Sequence, residues 1–402
     1  MRQKTIIYFT IFFTIIFNTI PSLSFSSIPI WNDTLLTNSE TMNSDFLSLE
    51  SESAILIEQT TGQILYEKNS NSKLRPASVT KVMSILLVME AINNGIISLD
   101  TKVPCSEKAS SMGGSQIWLN ENETLTVHDM LKAICISSAN DCTYALAELL
   151  CGSEEIFVNK MNEKAKQLGM NNTTFKNCHG LDEDGHLTTS YDIALMSREL
   201  LNKYPEITEY TTTWMDSLRD GKSELVNTNK LIKTYEGATG LKTGSTSLAL
   251  YNLSASATRK NLSLIAVIMR APTPKIRFSE AKLLLDYGFN TYSYEIVAQE
   301  NTIYKNIPVT KSTINNVDLI FENNLGILSK KDDVQNLSKN VTIHYEKAVA
   351  PVKKGDILGK IEYLSNGNVL GCVNLCSSSD IPKKSVINSF NFICSNWLNF
   401  LR

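Results

Sequence analysis

A serine and a lysine stand three residues apart in the segment PASVTK at residues 76–81. Serine becomes a nucleophile only when a base removes its proton, and a lysine three residues later on a helix lies on the same face. That lysine must be neutral, which requires burial or a neighbouring positive charge that lowers its pKa. Ser78 with Lys81 is therefore a candidate nucleophile and base, although a serine at a helix start can also be a simple N-cap.

Spacing alone does not decide between these two interpretations of Ser78. The pattern Ser-x-x-Lys also begins at Ser70 and at Ser279, both in ordinary polar or surface-helix sequence. A second motif, Ser138-Ala139-Asn140, lies at a predicted polar turn between two helices. It supplies a hydroxyl that can relay a proton and an amide that can hold a substrate peptide bond.

A third motif, Lys242-Thr243-Gly244, follows a strand-like stretch and occurs once in the chain. Its lysine can supply the positive charge that a neutral Lys81 needs nearby. Its glycine allows a substrate backbone to lie close along the strand edge. The order and surroundings of the second and third motifs favour Ser78 as a nucleophile over a simple N-cap.

Hydrophobic periodicity predicts the elements that must position these motifs. They are two strands joined at Thr61 and Gly62, a helix from near Pro76, two helical segments that follow a Thr126/Asp129 cap and meet at 137–141, helices at 154–168 and 190–201, a strand ending in GLKTGS, a hairpin turning at 259–261, and a helix at 275–287. Strands at both ends with helices between them predict an α+β domain over residues 53–290.

The remainder of the chain changes character after residue 290. Residues 291–375 form short β-like runs with Asn366-Gly367 at a hairpin tip, which predicts a separate small β domain. Residues 376–402 predict an amphipathic helix with Trp397 on its apolar face, a pattern suited to a membrane interface. Docking of that helix on the β domain is the alternative.

The N-terminal segment at residues 1–26 has the layout of an export signal: two basic residues, an apolar stretch and then small residues. The competing interpretations are a permanent membrane anchor and a buried helix. Residues 27–52 are rich in Ser, Asn and Thr without any period, so they predict a linker.

Composition excludes several classes of function. The 402 residues carry a formal net charge of -3 and no long basic run, so a nucleic-acid partner is not expected. The eight cysteines lack metal-site spacing, and Cys135, Cys142 and Cys151 suit small buried hydrophobes. The four histidines lack a GxSxG partner, which disfavours a Ser-His-Asp triad, and His179 in NCHGLD suits a loop-shaping role.

In order, spacing and context, the three motifs resemble those of the D-alanyl-D-alanine carboxypeptidases, the low-molecular-mass penicillin-binding proteins. The likeness covers roughly residues 53–375 and includes the stretches MGGSQIWL, HGLDEDGH and YNLSASAT. It implies an α+β fold with a penicillin-binding or β-lactamase-like transpeptidase domain, in which an antiparallel sheet packs against a helical cluster. A small all-β C-terminal domain would follow.

The resemblance implies acyl transfer with the following catalytic roles. Ser78 would attack the carbonyl between two terminal D-alanines of a peptidoglycan stem peptide while Lys81 takes its proton. Backbone N–H groups of Ser78 and Ser245 would stabilise the oxyanion. Ser138 and Lys242 would pass the proton to the leaving D-alanine, and water would release the acyl group.

The resemblance also implies a set of substrate-binding residues. Asn140 would hold the peptide, and Gly244 would let it approach the strand. Lys242 and Thr243 would bind the free carboxylate. Arg277, in PKIRFSEAKLLL, falls where the family places a carboxylate-binding arginine.

The implied partners are stem peptides ending in D-Ala-D-Ala, β-lactam antibiotics as acylating inhibitors, and a membrane surface through the tail; no metal or organic cofactor is expected. The implied location is the outer face of the cytoplasmic membrane or the cell wall. A β-lactamase of the same fold is one alternative, but no ExxLN stretch lies between Ser138 and Lys242. A catalytically silent wall-binding protein is the other, although it would be expected to lose one of the motifs.

Overall fold

The computed structural model describes residues 46–385 and residue 390. The predicted export signal at 1–26 lies outside the described residues, as does most of the predicted tail. Within the described part, no helix combines the length and the apolar character needed to cross a bilayer.

Among the described residues, nine segments form α-helices. They are α1 (Lys81–Asn93), α2 (Glu107–Ser110), α3 (Val127–Lys132), α4 (Asn140–Cys151), α5 (Glu154–Gln167), α6 (Ser190–Lys203), α7 (Thr208–Thr211), α8 (Leu231–Thr234) and α9 (Pro274–Thr291). A 3₁₀ turn at Ala77–Thr80 leads into α1, and a π-helical turn at Ala133–Ser137 follows α3.

The strands fall into a large sheet, a β domain and two small ribbons. They are β1 (Ser53–Glu58), β2 (Ile64–Lys68), β3 (Lys102–Pro104), β4 (Thr124–Thr126), β5 (Met215–Leu218), β6 (Ser223–Val226), β7 (Ala238–Thr246), β8 (Leu250–Arg259), β9 (Leu262–Ala271), β10 (Tyr292–Ala298), β11 (Ile303–Thr310), β12 (Asn316–Phe321), β13 (Leu325–Lys330), β14 (Leu337–Ile343), β15 (Ala348–Val349), β16 (Ile357–Ser365) and β17 (Asn368–Ser377).

The large sheet has five antiparallel strands in the order β2-β1-β9-β8-β7. One of its faces packs against a cluster that includes α1, α3, α4, α5 and α6, and the other packs against α9. Strand β7 lies at an edge, so one side of its backbone is free to receive an extended peptide. The predicted α+β class, with an antiparallel sheet and a helical cluster, is confirmed.

Local signals explain where the helices near the site begin. The predicted cap of α3 is a capping box in which the Thr126 hydroxyl accepts from the Asp129 backbone N–H and the Asp129 carboxylate accepts from the Thr126 backbone N–H. The predicted turn at 137–141 is shorter in the structure, because α4 already begins at Asn140. Cys135 and Cys142 are buried and Cys151 is half-buried, and each carries a free thiol.

The β domain has its own core and a six-stranded sheet in the order β14-β16-β17-β12-β11-β15. Asn366 and Gly367 both have positive φ and join β16 to β17, as predicted for the hairpin tip. Strand pairing continues past residue 375, since Ile381 bridges to Val352. The described residues just before β1 pack on the α+β domain: Leu49 is buried and the Ser51 hydroxyl donates to Glu280 of α9.

Candidate active site

Ser78 and Lys81 are in direct contact. The Lys81 ammonium nitrogen Nζ lies 2.9 Å from Ser78 Oγ and 2.7 Å from the carbonyl oxygen of His179. Ser78 is half-buried in the 3₁₀ turn, and neither that turn nor α1 has a side-chain cap. The Ser78 hydroxyl therefore faces a lysine and does not serve as an N-cap.

Burial sets the protonation of the two lysines of the site. Lys81 is fully buried, and this desolvation, followed by the nearby Lys242, holds its pKa well below its ordinary 10.5. Desolvation, helped by Arg277, also lowers the pKa of Lys242 to about 7. Burial and the charge of Lys242 therefore both favour the neutral form of Lys81, which is the form that can accept a proton.

This arrangement predicts a pH-dependent stability. Unfolded Lys242 holds its proton up to about pH 10.5 and folded Lys242 only up to about 7, so between these values the unfolded state binds more protons. The Lys242 contribution to the free energy of unfolding therefore rises with pH, by up to about 1.4 kcal/mol per pH unit. Urea unfolding from pH 7 to 9 should show a smaller upward slope for Lys242→Met than for the wild type. The exposed control Lys230→Met should keep the wild-type slope; an unchanged slope in Lys242→Met would contradict the burial argument.

Ser138 and Asn140 occupy the turn between the π-helical segment and α4. Ser138 is 4% exposed and has a φ of 66°, an uncommon left-handed conformation for serine. The Asn140 side-chain nitrogen Nδ2 donates to the carbonyl of Gly113 at 2.6 Å, while its Oδ1 is buried and accepts no hydrogen bond from the described residues. That oxygen is an acceptor available to a ligand N–H.

Thr228 connects the Ser138 turn to the edge strand β7. No direct hydrogen bond within the described residues joins Ser138 to Ser78. The Thr228 backbone N–H donates to the carbonyl of Ile136 at 3.1 Å, next to the Ser138 turn. Its hydroxyl accepts from Thr243 Oγ1 at 2.7 Å. No local sequence pattern marks Thr228 as a bridge, so this role could not be predicted from the sequence.

Gly244 packs against the start of the nucleophile helix. A Cβ added at Gly244 would lie 2.9 Å from the carbonyl oxygen of Pro76 and 2.9 Å from the backbone nitrogen of Ser78. Ser245, the next residue on β7, is exposed. The glycine therefore allows the edge of β7 and the Ser78 turn to approach each other directly.

Substituting Gly244 with alanine is expected to separate these two backbones. The overpacking should lower the free energy of unfolding by about 1–3 kcal/mol and slow β-lactam acylation. Gly113→Ala is the matched control, since a Cβ at Gly113 meets nothing within 4 Å. Urea unfolding and the acylation rate measure both effects; equal behaviour of the two variants would refute the close approach.

Arg277 lies beside the same strand at the first turns of α9. Its NH1 nitrogen is 3.4 Å from the carbonyl of Gly244 and 3.2 Å from that of Asn252, and the side chain is 7% exposed. Burial lowers its pKa to about 10, so it remains a cation at neutral pH. Its Nε is buried without a hydrogen-bond partner in the described residues.

The loop HGLDEDGH at residues 179–186 contacts Lys81, the candidate base. The sequence motifs alone did not predict this contact. His179 of this loop contributes the carbonyl that Lys81 contacts, and Gly180, at φ +91°, packs against the backbone of Ala77, where a Cβ would lie 2.0 Å from the carbonyl oxygen. Glu154 Oε1 accepts from the Cys178 backbone N–H at 3.0 Å, which holds the loop from behind.

The histidine rings take structural roles. His179 Nδ1 accepts from the Leu181 backbone N–H at 3.2 Å, and His186 Nε2 lies 2.9 Å from the Thr80 hydroxyl. Burial lowers their pKa values to about 3 and about 4, so both are neutral. A half-buried serine in contact with a buried lysine whose pKa is lowered is an arrangement suited to nucleophilic catalysis with lysine as the base.

Comparison with known proteins identifies the family. The family model described as D-alanyl-D-alanine carboxypeptidase matches residues 38–273, and that of the penicillin-binding protein 5 C-terminal domain matches residues 292–383. D-alanyl-D-alanine carboxypeptidase DacF of Bacillus subtilis is 44% identical over 358 residues, which are 88% of this chain and 92% of that protein. The chain belongs to the D-alanyl-D-alanine carboxypeptidase family.

Solved structures agree with this assignment. Penicillin-binding protein 5 of Haemophilus influenzae matches with a TM-score of 0.71 and 29% identity, over 83% of this chain and 98% of that one. Penicillin-binding protein D2 of Listeria monocytogenes, in an ampicillin-bound form, matches with a TM-score of 0.56 and 32% identity, over 60% of this chain and 99% of that one. The predicted family, and a mixed domain followed by a separate all-β domain, are confirmed.

Proposed function

We propose that this chain removes the terminal D-alanine from peptidoglycan stem peptides through an acyl-enzyme on Ser78. The observation that carries the proposal is the 2.9 Å contact between Ser78 Oγ and Nζ of the buried Lys81, whose pKa is lowered by desolvation. In the first step Lys81 takes the hydroxyl proton while Oγ attacks the penultimate D-alanine carbonyl. The C–N bond then breaks, and the leaving amine receives a proton through Ser138 and Lys242.

The oxyanion of the tetrahedral intermediate would lie between two backbone N–H groups, those of Ser78 and Ser245. The close packing of Gly244 on the Ser78 turn supports this role, because it brings the residue before Ser245 beside the Ser78 nitrogen. Donors held in place before the reaction cost no reorganisation when the charge develops. Water then attacks the acyl group and regenerates Ser78.

Substrate binding follows from the free edge of β7 and from the groups around it. The peptide would add to this edge as an extended strand, and Asn140 Oδ1 would accept one of its N–H groups. The terminal carboxylate would meet the Thr243 hydroxyl and the cations Lys242 and Arg277. The buried and unpaired Nε of Arg277 supports this cationic role.

The location and the domain limits belong to the same proposal. Stem peptides lie outside the cytoplasmic membrane, so residues 1–26 would direct export. Residues 27–52 would serve as a linker whose last residues, such as Leu49 and Ser51, pack on the catalytic domain. Residues 376–402 would hold the enzyme at the outer membrane face, with 53–290 as catalytic domain and 291–375 as β domain. The charge and hydrophobic patterns of the two ends support these assignments.

The test is D-alanine release by the purified full-length chain from a peptide ending in D-Ala-D-Ala. The matched control is the same peptide ending in L-Ala-L-Ala, which presents the same groups in the wrong configuration. Release from the first peptide alone supports the proposal. Rapid hydrolysis of penicillin with no release of D-alanine would indicate a β-lactamase instead.

A further inference from the structure

An exposed tryptophan lies on the segment that packs against the Asn140 turn. The Trp118 side chain is 73% exposed, whereas its neighbours Ile117 and Leu119 are 6% and 3% exposed. Its φ is 59°, a backbone conformation that large L-residues rarely adopt. A strained backbone conformation persists only where the surrounding structure enforces it. Such conformations cluster at functional sites, so the one at Trp118 suggests a function.

Two charged residues, Asp141 and Arg219, hold the backbone of this segment by hydrogen bonds. The carboxylate oxygen Oδ2 of Asp141 accepts the backbone N–H groups of Ile117 and Leu119, each at 3.1 Å. Arg219 donates to the carbonyls of Ile117 at 2.9 Å and Trp118 at 3.3 Å. The backbone is thereby held on both sides of Trp118, and the indole ring remains in solvent.

The segment is also continuous with the proposed peptide-binding groove. The Asn140 backbone N–H donates to the carbonyl of Ser115 at 2.7 Å, and its side chain donates to that of Gly113. Asp141, which holds the Trp118 backbone, is the next residue in the chain. The position of the indole is thus coupled to the residue that would hold the stem peptide.

The surroundings of Trp118 indicate what the ring would contact. The following residues, Asn120 and Glu121, are exposed, and Glu123 is half-buried in an ion pair with Arg219. The acidic residues near Trp118 disfavour binding of the ring to an anionic membrane surface. A single exposed ring between two buried neighbours also lacks the extended apolar patch that is typical of a protein-docking surface. A sugar ring suits it better, since its C–H face can stack on an indole while its hydroxyls bond to amide and carboxylate groups.

We infer that Trp118 is a stacking platform for a pyranose ring of the glycan strand that carries the stem peptide. This inference rests on the proposed function. It makes Trp118 a specificity residue: the scissile peptide binds at the Ser78 groove, while the sugar end of the same substrate binds at the indole. Substrates linked to sugar should therefore be preferred over free peptides.

The test compares two substrates, a free pentapeptide ending in D-Ala-D-Ala and the same pentapeptide linked to its disaccharide. Trp118→Ala should lower kcat/KM for the disaccharide-linked substrate by about five- to tenfold, as expected for loss of one ring contact, and leave the free peptide within about twofold. Trp118→Phe should retain most of the preference. Ile156→Ala, which also removes an exposed apolar side chain, should change neither substrate.

The outcomes separate this inference from the proposed function. Equal losses of kcat/KM on both substrates in Trp118→Ala would show that Trp118 acts on the peptide or on the fold. Unchanged kcat/KM on both would show that the ring does not contact the sugar. Either result overturns the inference. A labelled penicillin monitors the integrity of the site in each variant. No D-alanine release by the wild type from either substrate would overturn the proposed function itself.

Discussion

Replacement of Ser78 by alanine is expected to abolish D-alanine release, with a fall of at least about 10,000-fold in kcat. The oxygen of this hydroxyl would form the ester bond of the acyl-enzyme. Among the described residues, Lys81 Nζ donates hydrogen bonds to Ser78 Oγ and to the carbonyl of His179. The loss should extend to labelling by penicillin. Release of D-alanine and fluorescent-penicillin labelling of the purified variant measure the two effects.

Ser279→Ala is the matched control for this experiment. Ser279 also begins a Ser-x-x-Lys pattern, but it is exposed on α9, where its hydroxyl donates to the carbonyl of Ile276. This variant should retain wild-type activity and labelling. Substantial D-alanine release by a folded Ser78→Ala protein would contradict the assignment of the nucleophile.

Replacement of Lys81 is expected to produce the second large effect. Lys81→Met keeps the length of the side chain but removes the proton acceptor, so the penicillin acylation rate should fall by about 100- to 10,000-fold while Ser78 remains in place. Lys81→Arg should not rescue it, because a guanidinium keeps its proton in proteins. Stopped-flow or quenched acylation with a labelled penicillin measures the rate.

Lys282→Met, in the surface Ser-x-x-Lys pattern, controls for the loss of a lysine at the same spacing. Circular dichroism should show that Lys81→Met is folded, since an apolar side chain suits its fully buried position. Recovery of acylation in Lys81→Arg to near the wild-type rate would mean that charge, and not proton acceptance, is the function of this residue.

Several features of both domains could be predicted from local sequence. The Thr126/Asp129 cap, the hairpin that ends β8 at Arg259, and the Asn366-Gly367 turn each depend on residues near one another in the chain, and the structure contains all three. The helix ends were less exact: α9 extends to Thr291, beyond the predicted residue 287. Helix ends depend on tertiary packing that local patterns do not encode.

The supports of the site could not be predicted in the same way. Lys81 contacts a carbonyl 98 residues away at His179, and Arg277 contacts Gly244 across 33 residues. Such contacts arise when the sheet and the helices are assembled, and periodicity carries no information on them. The chemistry of the three motifs made their residues candidates, and the family resemblance gave each of them a role. All of these catalytic and binding roles, including those of Ser78 and Lys81, remain predictions.

Peptide mapping of the penicillin adduct tests the central claim most directly. The full-length protein would be treated with penicillin, digested, and analysed by mass spectrometry to locate the modified residue. We expect a single acyl adduct, on the peptide containing Ser78. An adduct on another residue, or D-alanine release by a protein that forms no adduct, would contradict it.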